Sequence, residues 1–379
     1  IKEKIIDKET YYLILDEIQL VENFEGVLNG LLRISNIDIY VTGSNSKFLS
    51  SDIVTEFRGR GTEIKVYPLS FGEFMSVYEG NILDGWNEYY TYGGLPLILN
   101  LKTDEEKAEY LKEQKNNVYI NDVVERNKIR NSVELETLVQ IISSSIGSLT
   151  NPYKLENTFK SMANVELNHE TIDNYLKYVE EAFLIEKASR YDVKGKKYIN
   201  TPVKYYFTDM GIRNSFVNYR QIEESHLMEN IIYIELKRRG YEVDIGVVEF
   251  REKNGTSLVQ KQVEIDFIAN KGNNKIYIQS ALNMNDKEKM YQEKRPLLKA
   301  NDNFKKIIIT GEYIKSKRDE DGIITMSIYE FLTNMDSLES VWYYKKLWHN
   351  KTIEKVDGKV DCKVDRKVDG KNKRQGVKK

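Results

Sequence analysis

At 379 residues, 40% hydrophobic and 31% charged, with a formal net charge of -2, the chain is long enough for two or three packed domains and carries no global pull toward nucleic acid. One cysteine, Cys362, cannot form an intramolecular disulfide, and with only 3 histidines it leaves too few ligands for a structural zinc site, so the cytoplasm is the expected compartment. No apolar stretch approaches the roughly 20 residues that a membrane-spanning helix needs, which excludes a helical membrane protein for the sequence in hand.

In chain order, residues 11–16 and 37–42 run or alternate apolar as buried parallel strands do, and the amphipathic segment from Val21 to Arg33 between them predicts a βαβ crossover. Glu63 to Tyr67 reads as a further strand, and Gly72 to Tyr78 as a helix. A helical region over Leu83–Arg130 is broken at Tyr92-Gly93-Gly94-Leu95-Pro96, where two glycines and a proline must end one helix before another starts. Three shorter helices follow, over Glu134–Ser145, Tyr153–Ala163 and His169–Leu184. Two strands, Ile185–Tyr191 and Lys204–Thr208, are joined by the basic turn Val193-Lys194-Gly195-Lys196-Lys197. Three helices closed by a hairpin make a winged helix-turn-helix the economical reading.

Past Gln221 the pattern predicts a helix over Glu224–Arg239, stopped by Gly240, then strands over Glu242–Gly246, Gln262–Ala269, Lys275–Gln279 and Lys305–Thr310: a second, smaller α/β domain. Lys-Val-Asp recurs at 355, 359, 363 and 367 in a charged tract without proline. Such a tract cannot bury a core and is expected to be disordered.

Three groups of residues suit chemistry. Asp16-Glu17 ends the first strand, where the C-terminal edge of an α/β sheet places ligands, and its carboxylates suit a hard cation such as a nucleotide-bound Mg²⁺. The next strand ends Thr42-Gly43-Ser44-Asn45, so Ser44 and Asn45 set a polar group beside Asp16; as an alternative, Gly-Ser-Asn is ordinary turn chemistry. Arg60, in Arg58-Gly59-Arg60, suits an arginine that reaches a transferred phosphate of its own or a neighbouring subunit. In the hairpin, Lys187, Arg190, Lys194, Lys196, Lys197 and Lys204 suit phosphates without reading sequence, whereas the third helix sets Glu170, Asp173, Glu180 and Glu181 against Lys177, which disfavours reading a DNA groove.

Together LILDEIQ (13–19), IYVTGSNS (39–46), RGRG (58–61), YPLSFGEF (67–74) and YGGLP (92–96) resemble, in order and spacing, prokaryotic AAA-type ATP-binding proteins of the archaeal-ATPase and STAND-like kind, whose C-terminal domain of unknown function joins a winged helix to a restriction-endonuclease-like fold. The resemblance covers residues from about 10 to 345. It implies ATP and Mg²⁺ as cofactors, Asp16 and Glu17 as the Walker B pair with Asp16 at the metal, Ser44 and Asn45 as the sensor, Arg60 as the arginine, and Gly94 and Pro96 in a lid motif. It also places Glu229, Asp266 and Gln279 at the acid positions of the nuclease-like fold, where Gln279 replaces a carboxylate and Ala281 the lysine, so the fold is expected without cleavage unless Lys271 or Lys275 compensates.

The expected class is thus α/β: the C-terminal part of a P-loop AAA ATPase core with a helical lid, a winged helix-turn-helix, then a PD-(D/E)xK-like α/β domain. The expected divisions are 1–80 for the partial ATPase core, 81–132 for the lid, 133–220 for the winged helix, 221–348 for the nuclease-like domain and 349–379 for the tail. No G-x-x-x-x-G-K-[ST] phosphate loop occurs and the first residue is Ile1, so the chain is expected to begin inside its first domain, an ATPase when full length that is inactive as this fragment. Expected partners are a nucleotide, nucleic acid through the wing and further copies of the chain. A non-catalytic DNA- or protein-binding module and an active Mg²⁺-dependent nuclease are the alternatives.

Overall fold

The structure is a computed structural model that describes residues 5–18, 21–43, 61–163, 167–220, 223–254, 257–284 and 286–339. Residues 1–335 form one compact unit, and in the second the turn at 336–339 is closed by the Glu339 amide donating to the Asp336 carbonyl, 2.9 Å.

Strands β1 (Tyr11–Leu15) and β2 (Ile37–Val41) pair in parallel from Tyr11↔Ile37 to Leu15↔Val41, joined by helix α1 (Phe24–Leu31). Phe24 and Leu28 of α1 pack with Ile18, Leu15 and Ile39. Strand alternation turns Tyr12 and Ile14 to the other face, where they are 68% and 73% exposed. The segment Glu63–Tyr67 forms no strand: Ile64 and Val66 are 78% and 91% exposed, and no described strand pairs with it.

Helices α2 (Phe71–Val77) and α3 (Ile82–Tyr92) follow. A reciprocal Ser70–Glu73 capping box starts α2, and Asn81 caps α3. Their aromatic faces interlock through Phe71, Phe74, Trp86 and Tyr89, with ring centroids 5.4 to 5.8 Å apart. Gly93, at φ 78°, ends α3, and Pro96 opens a 3₁₀ turn over Pro96–Asn100. Helix α4 (Asp104–Gln114) runs through a π-helical turn (Lys115–Ile120) into α5 (Asn121–Arg126).

Helices α6 (Ser132–Ser144), α7 (Pro152–Ala163) and α8 (His169–Glu181) lead to the antiparallel hairpin β3 (Ile185–Asp192) and β4 (Lys197–Phe207). Residue Thr150, between α6 and α7, bridges to Val203 of β4. After α9 (Met210–Phe216) and α10 (Glu224–Arg238) come β5 (Glu242–Asn254), β6 (Ser257–Lys271), β7 (Asn274–Ala281), α11 (Lys287–Ala300), β8 (Lys305–Thr310), β9 (Lys317–Arg318), β10 (Ile324–Ser327) and α12 (Ile328–Thr333). All eight strands form one sheet, in the order β4-β3-β5-β6-β7-β8-β10-β9. The hairpin joins it through parallel pairing of Arg190–Asp192 with Ile245–Val247, so the division expected at 220/221 falls within one continuous sheet.

Helices α10 and α11 cover opposite faces of this sheet. Phe267 of β6 packs against Tyr233 of α10, 6.1 Å between centroids, while the next residue, Ile268, joins Tyr277, Ala281 and Leu297 of α11 in a buried cluster. At 1% and 0% exposure, Ile268 and Leu297 contribute about 1.5–3 kcal/mol apiece to this packing.

Candidate functional sites

The parallel register that sets Leu15 beside Val41 also sets Asp16 beside Thr42. The ladder runs one step further, the Thr42 amide donating to the Leu15 carbonyl at 2.9 Å and the Ile18 amide to the Thr42 carbonyl at 3.2 Å. Between them Glu17 turns in the left-handed region, φ 48°. The Thr42 hydroxyl donates to Asp16 Oδ1 and accepts from the Glu17 amide at 3.1 Å. Asp16 is exposed and Glu17 half-buried, so an acidic oxygen stands open at the strand edge, a donor set that fits a hard cation. Ser44, Asn45 and Arg60 lie outside the described residues.

The glycine motif has a different setting from the strand edge. Gly94 is buried, its amide donates to Asp209 Oδ2 at 2.7 Å, and its carbonyl accepts from the Leu69 amide at 2.8 Å. A Cβ on Gly94 would stand 2.3 Å from the Leu69 carbonyl oxygen, and one on Gly93 would stand 2.2 Å from Asp209 Oδ1. Asp209 caps α9 through the Ile212 amide, and burial pushes its carboxyl pKa up. Asn214 holds the Tyr90 and Thr91 carbonyls at 2.9 and 2.8 Å. Pro96 is exposed and starts the 3₁₀ turn. In these contacts Gly93-Gly94 is a docking point for α3 on α9, a role that only the meeting of distant segments reveals.

On the α10 face of the large sheet, the buried Lys204 ammonium lies 2.9 Å from Glu229 Oε1 and 2.8 Å from Glu264 Oε1. Tyr206 donates to the same Glu229 oxygen at 2.6 Å. Burial pushes the Asp266 carboxyl well above the usual range, neighbouring Glu229 adds to this, and Lys204 opposes it. Burial works against charge on Lys204 itself, yet Glu229, Asp266 and Glu264 together hold its pKa above the ordinary value. The loop after α6 closes over the cluster: a Cβ on Gly147 would lie 3.4 Å from Glu229 Oε1.

Glu229 and Asp266 therefore meet, but around a lysine of the hairpin. Gln279 stands apart from them, sharing the α11 face with Tyr277 and Ala281 and hydrogen-bonding Glu293. Neither compensating lysine is at hand: Lys271 donates to the Arg239 carbonyl at 2.8 Å, and Lys275 lies over the Tyr191 and Phe304 rings. Among the described residues no group of three or more His, Cys, Asp or Glu is gathered to hold a metal ion. Glu235, inside the apolar arc of α10, is 3% exposed and held by Arg239 at 2.7 Å.

In the hairpin turn the buried Asp192 side chain accepts from the Lys194 and Gly195 amides at 3.1 and 2.9 Å, and Lys194, Lys196 and Lys197 are exposed. Two expected members of that basic set are not on the surface: Lys204, in the acidic cluster, and Arg190, 6% exposed. For Lys204 the sign was present, since a lysine within Val203-Lys204-Tyr205-Tyr206-Phe207 shares its strand with buried neighbours and needs an internal counter-ion. On α8, Lys177 is paired with Asp173 at 2.8 Å.

Comparison with known families matches residues 1–75 to the AAA domain, a nucleotide-binding module, and residues 83–223 to a domain of unknown function, DUF8612. An uncharacterised protein of Haemophilus influenzae is 35% identical over 330 residues, 86% of this chain and 78% of that one. An uncharacterised protein of Methanocaldococcus jannaschii is 31% identical over 294 residues, 74% of this chain; the chain spans 63% of that relative's length. The crystal structure of protein VC1899 from Vibrio cholerae aligns with 90% of this chain and 93% of that one at 14% identity and a TM-score of 0.23, too low a likeness to bear on the fold. No described helix is long and apolar enough to cross a membrane. With an AAA domain leading into a domain of unknown function, the chain belongs to the family of the Haemophilus influenzae protein.

Proposed function

We propose that this is an AAA-type ATPase whose nucleotide state acts on a C-terminal module that binds nucleic acid or protein. The observation that carries the reading is the Asp16–Thr42 strand edge inside the AAA match. Asp16 is the residue that holds the Mg²⁺ shell and Glu17 the one that polarises the attacking water; Mg²⁺ itself supplies charge neutralisation at the phosphates. Thr42 orients Asp16 from the neighbouring strand. Ser44 and Asn45 as sensor, and Arg60 acting on the phosphate of its own or a neighbouring copy, complete the proposed site. ATP turnover by the gene product that contains this chain tests the reading: Glu17→Gln is expected to lower kcat by about 100-fold or more. Wild-type turnover in that variant overturns it.

The three helices α6–α8 and the hairpin support a winged-helix reading, and the α10–β5–β6–β7 arrangement supports a restriction-endonuclease-like fold that no longer cuts. The self-neutralised Lys204 cluster favours loss of cleavage over the active-nuclease alternative. Plasmid cutting that depends on Mg²⁺ and is lost in Asp266→Ala would reverse that choice. The exposed turn lysines favour sequence-independent contact with nucleic-acid phosphates, and their replacement by glutamine is expected to weaken binding to all sequences alike and to flatten its salt dependence.

A further inference from the structure

We propose that the sheet surface beside the β3–β4 turn is a platform for single-stranded nucleic acid, with bases stacked on Tyr198 and Phe304 and the backbone held by Lys194, Lys196, Lys197 and Lys275. This rests on the reading of the turn as a nucleic-acid contact and names the form it takes.

Four rings and a lysine are linked there. Tyr198 of β4, 63% exposed, meets Tyr191 of β3 edge to face, 5.3 Å between centroids. Lys275 of β7 lies 5.6 Å above the Tyr191 ring and 5.0 Å above that of Phe304. Phe304, 45% exposed in the turn just before β8, stands edge to face on the buried Tyr277 at 5.9 Å. The half-buried Tyr191 and the buried Tyr277 anchor the two outer rings, which are turned to solvent although the core beneath them has its own apolar lining. The turn lysines stand next to Tyr198 in sequence, held outward by the Asp192 turn. Asp244, which accepts from the Tyr198 hydroxyl at 3.3 Å, is half-buried, and Lys237 and Lys275 are among the charges that favour its ionised form.

Solvent-facing rings among lysines form a surface for unpaired bases, because every base offers a π-face and every linkage a phosphate. A duplex keeps its bases stacked inside and offers the rings no free π-face. An acidic peptide could use the lysines but gains little from the rings.

The test is fluorescence anisotropy with a labelled oligothymidylate of about 20 nucleotides, compared with a duplex and a polyglutamate peptide of similar length. The oligothymidylate is expected to bind best, with an affinity that falls steeply with salt. Tyr198→Ala with Phe304→Ala is expected to weaken it about 10-fold or more, while Tyr198→Trp retains or raises affinity. The tryptophan variant guards against reading misfolding as lost contact. If the ring changes leave affinity unaltered while the lysine changes abolish binding of duplex and single strand alike, the platform falls and the turn reading stands. Tighter binding of the duplex or of polyglutamate also overturns the platform, and failure of every probe to bind removes both.

Discussion

Two acidic sites in this molecule are built from the same residue types and end in opposite states. At the β1–β2 edge Asp16 is exposed and its partner among the described residues is the Thr42 hydroxyl. In the large sheet Glu229, Glu264 and Asp266 surround an internal ammonium, under the loop at Gly147. The difference teaches that carboxylates point to ligand chemistry only where the fold leaves their charge unanswered. An acid that the chain itself neutralises is part of the core, whatever fold surrounds it.

The sharpest way to break this contrast is Lys204→Met, which leaves the buried carboxylates without their cation. It is expected to destabilise the protein by about 3–5 kcal/mol, read as a lower urea midpoint at neutral pH. A change below about 1 kcal/mol would mean that the cluster is open to water and resembles the strand edge after all. Next comes the seam between the regions: Gly94→Ala drives a Cβ to 2.3 Å from the Leu69 carbonyl oxygen, and a loss of about 2 kcal/mol is expected.

A third test uses pH. Burial first, then Asp173 and Glu181, raise the Glu180 carboxyl from the ordinary 4.5 to about 7 against the pull of Lys187 and Lys177. Because the folded protein binds this proton more tightly, the stabilising contribution is complete below pH 4.5 and is lost as pH rises through about 7. Glu180→Gln should therefore gain stability over wild type as pH rises through that window, reaching about 2 kcal/mol in urea melts at alkaline pH. An equal gap at both ends of the window would show that Glu180 is neutralised by its lysines. Smallest is Thr42→Val at the open edge, about 1 kcal/mol or less in stability.

Parallel strands of matched length carry their ends together, so the Thr42–Asn45 strand end could be set beside Asp16 from the text, but Ser44 and Asn45 were the residues expected there and the partner found is Thr42. Glu63–Tyr67 misled because alternation supplies a strand's faces but not its partner, and no described strand offers one. The hairpin and the helices of the C-terminal half followed from periodicity, whereas the joining of β3 to β5 depends on a parallel pairing across some fifty residues, which local pattern cannot register. The resemblance set Gln279 and Glu229 in one site, and the sequence itself does not say which face of a sheet a residue takes. The β5–β6 register slips between Asp244 and Gly246, so even alternation could not place Asp266. Asp209 carried no signal beyond that of a helix cap; its second task needs Gly93 and Gly94 to arrive from another segment.

The last part of the AAA match is pinned over a few residues: Tyr67 to Glu186 at 2.8 Å, the Pro68 carbonyl to Arg238 at 2.6 Å, and Leu69 to Gly94 at 2.8 Å and Tyr89 at 2.8 Å. In mechanical terms this is a clamped beam rather than a swivel. Through Arg238 the clamp is fixed to the last turn of α10, the helix whose N-terminal half carries Glu229.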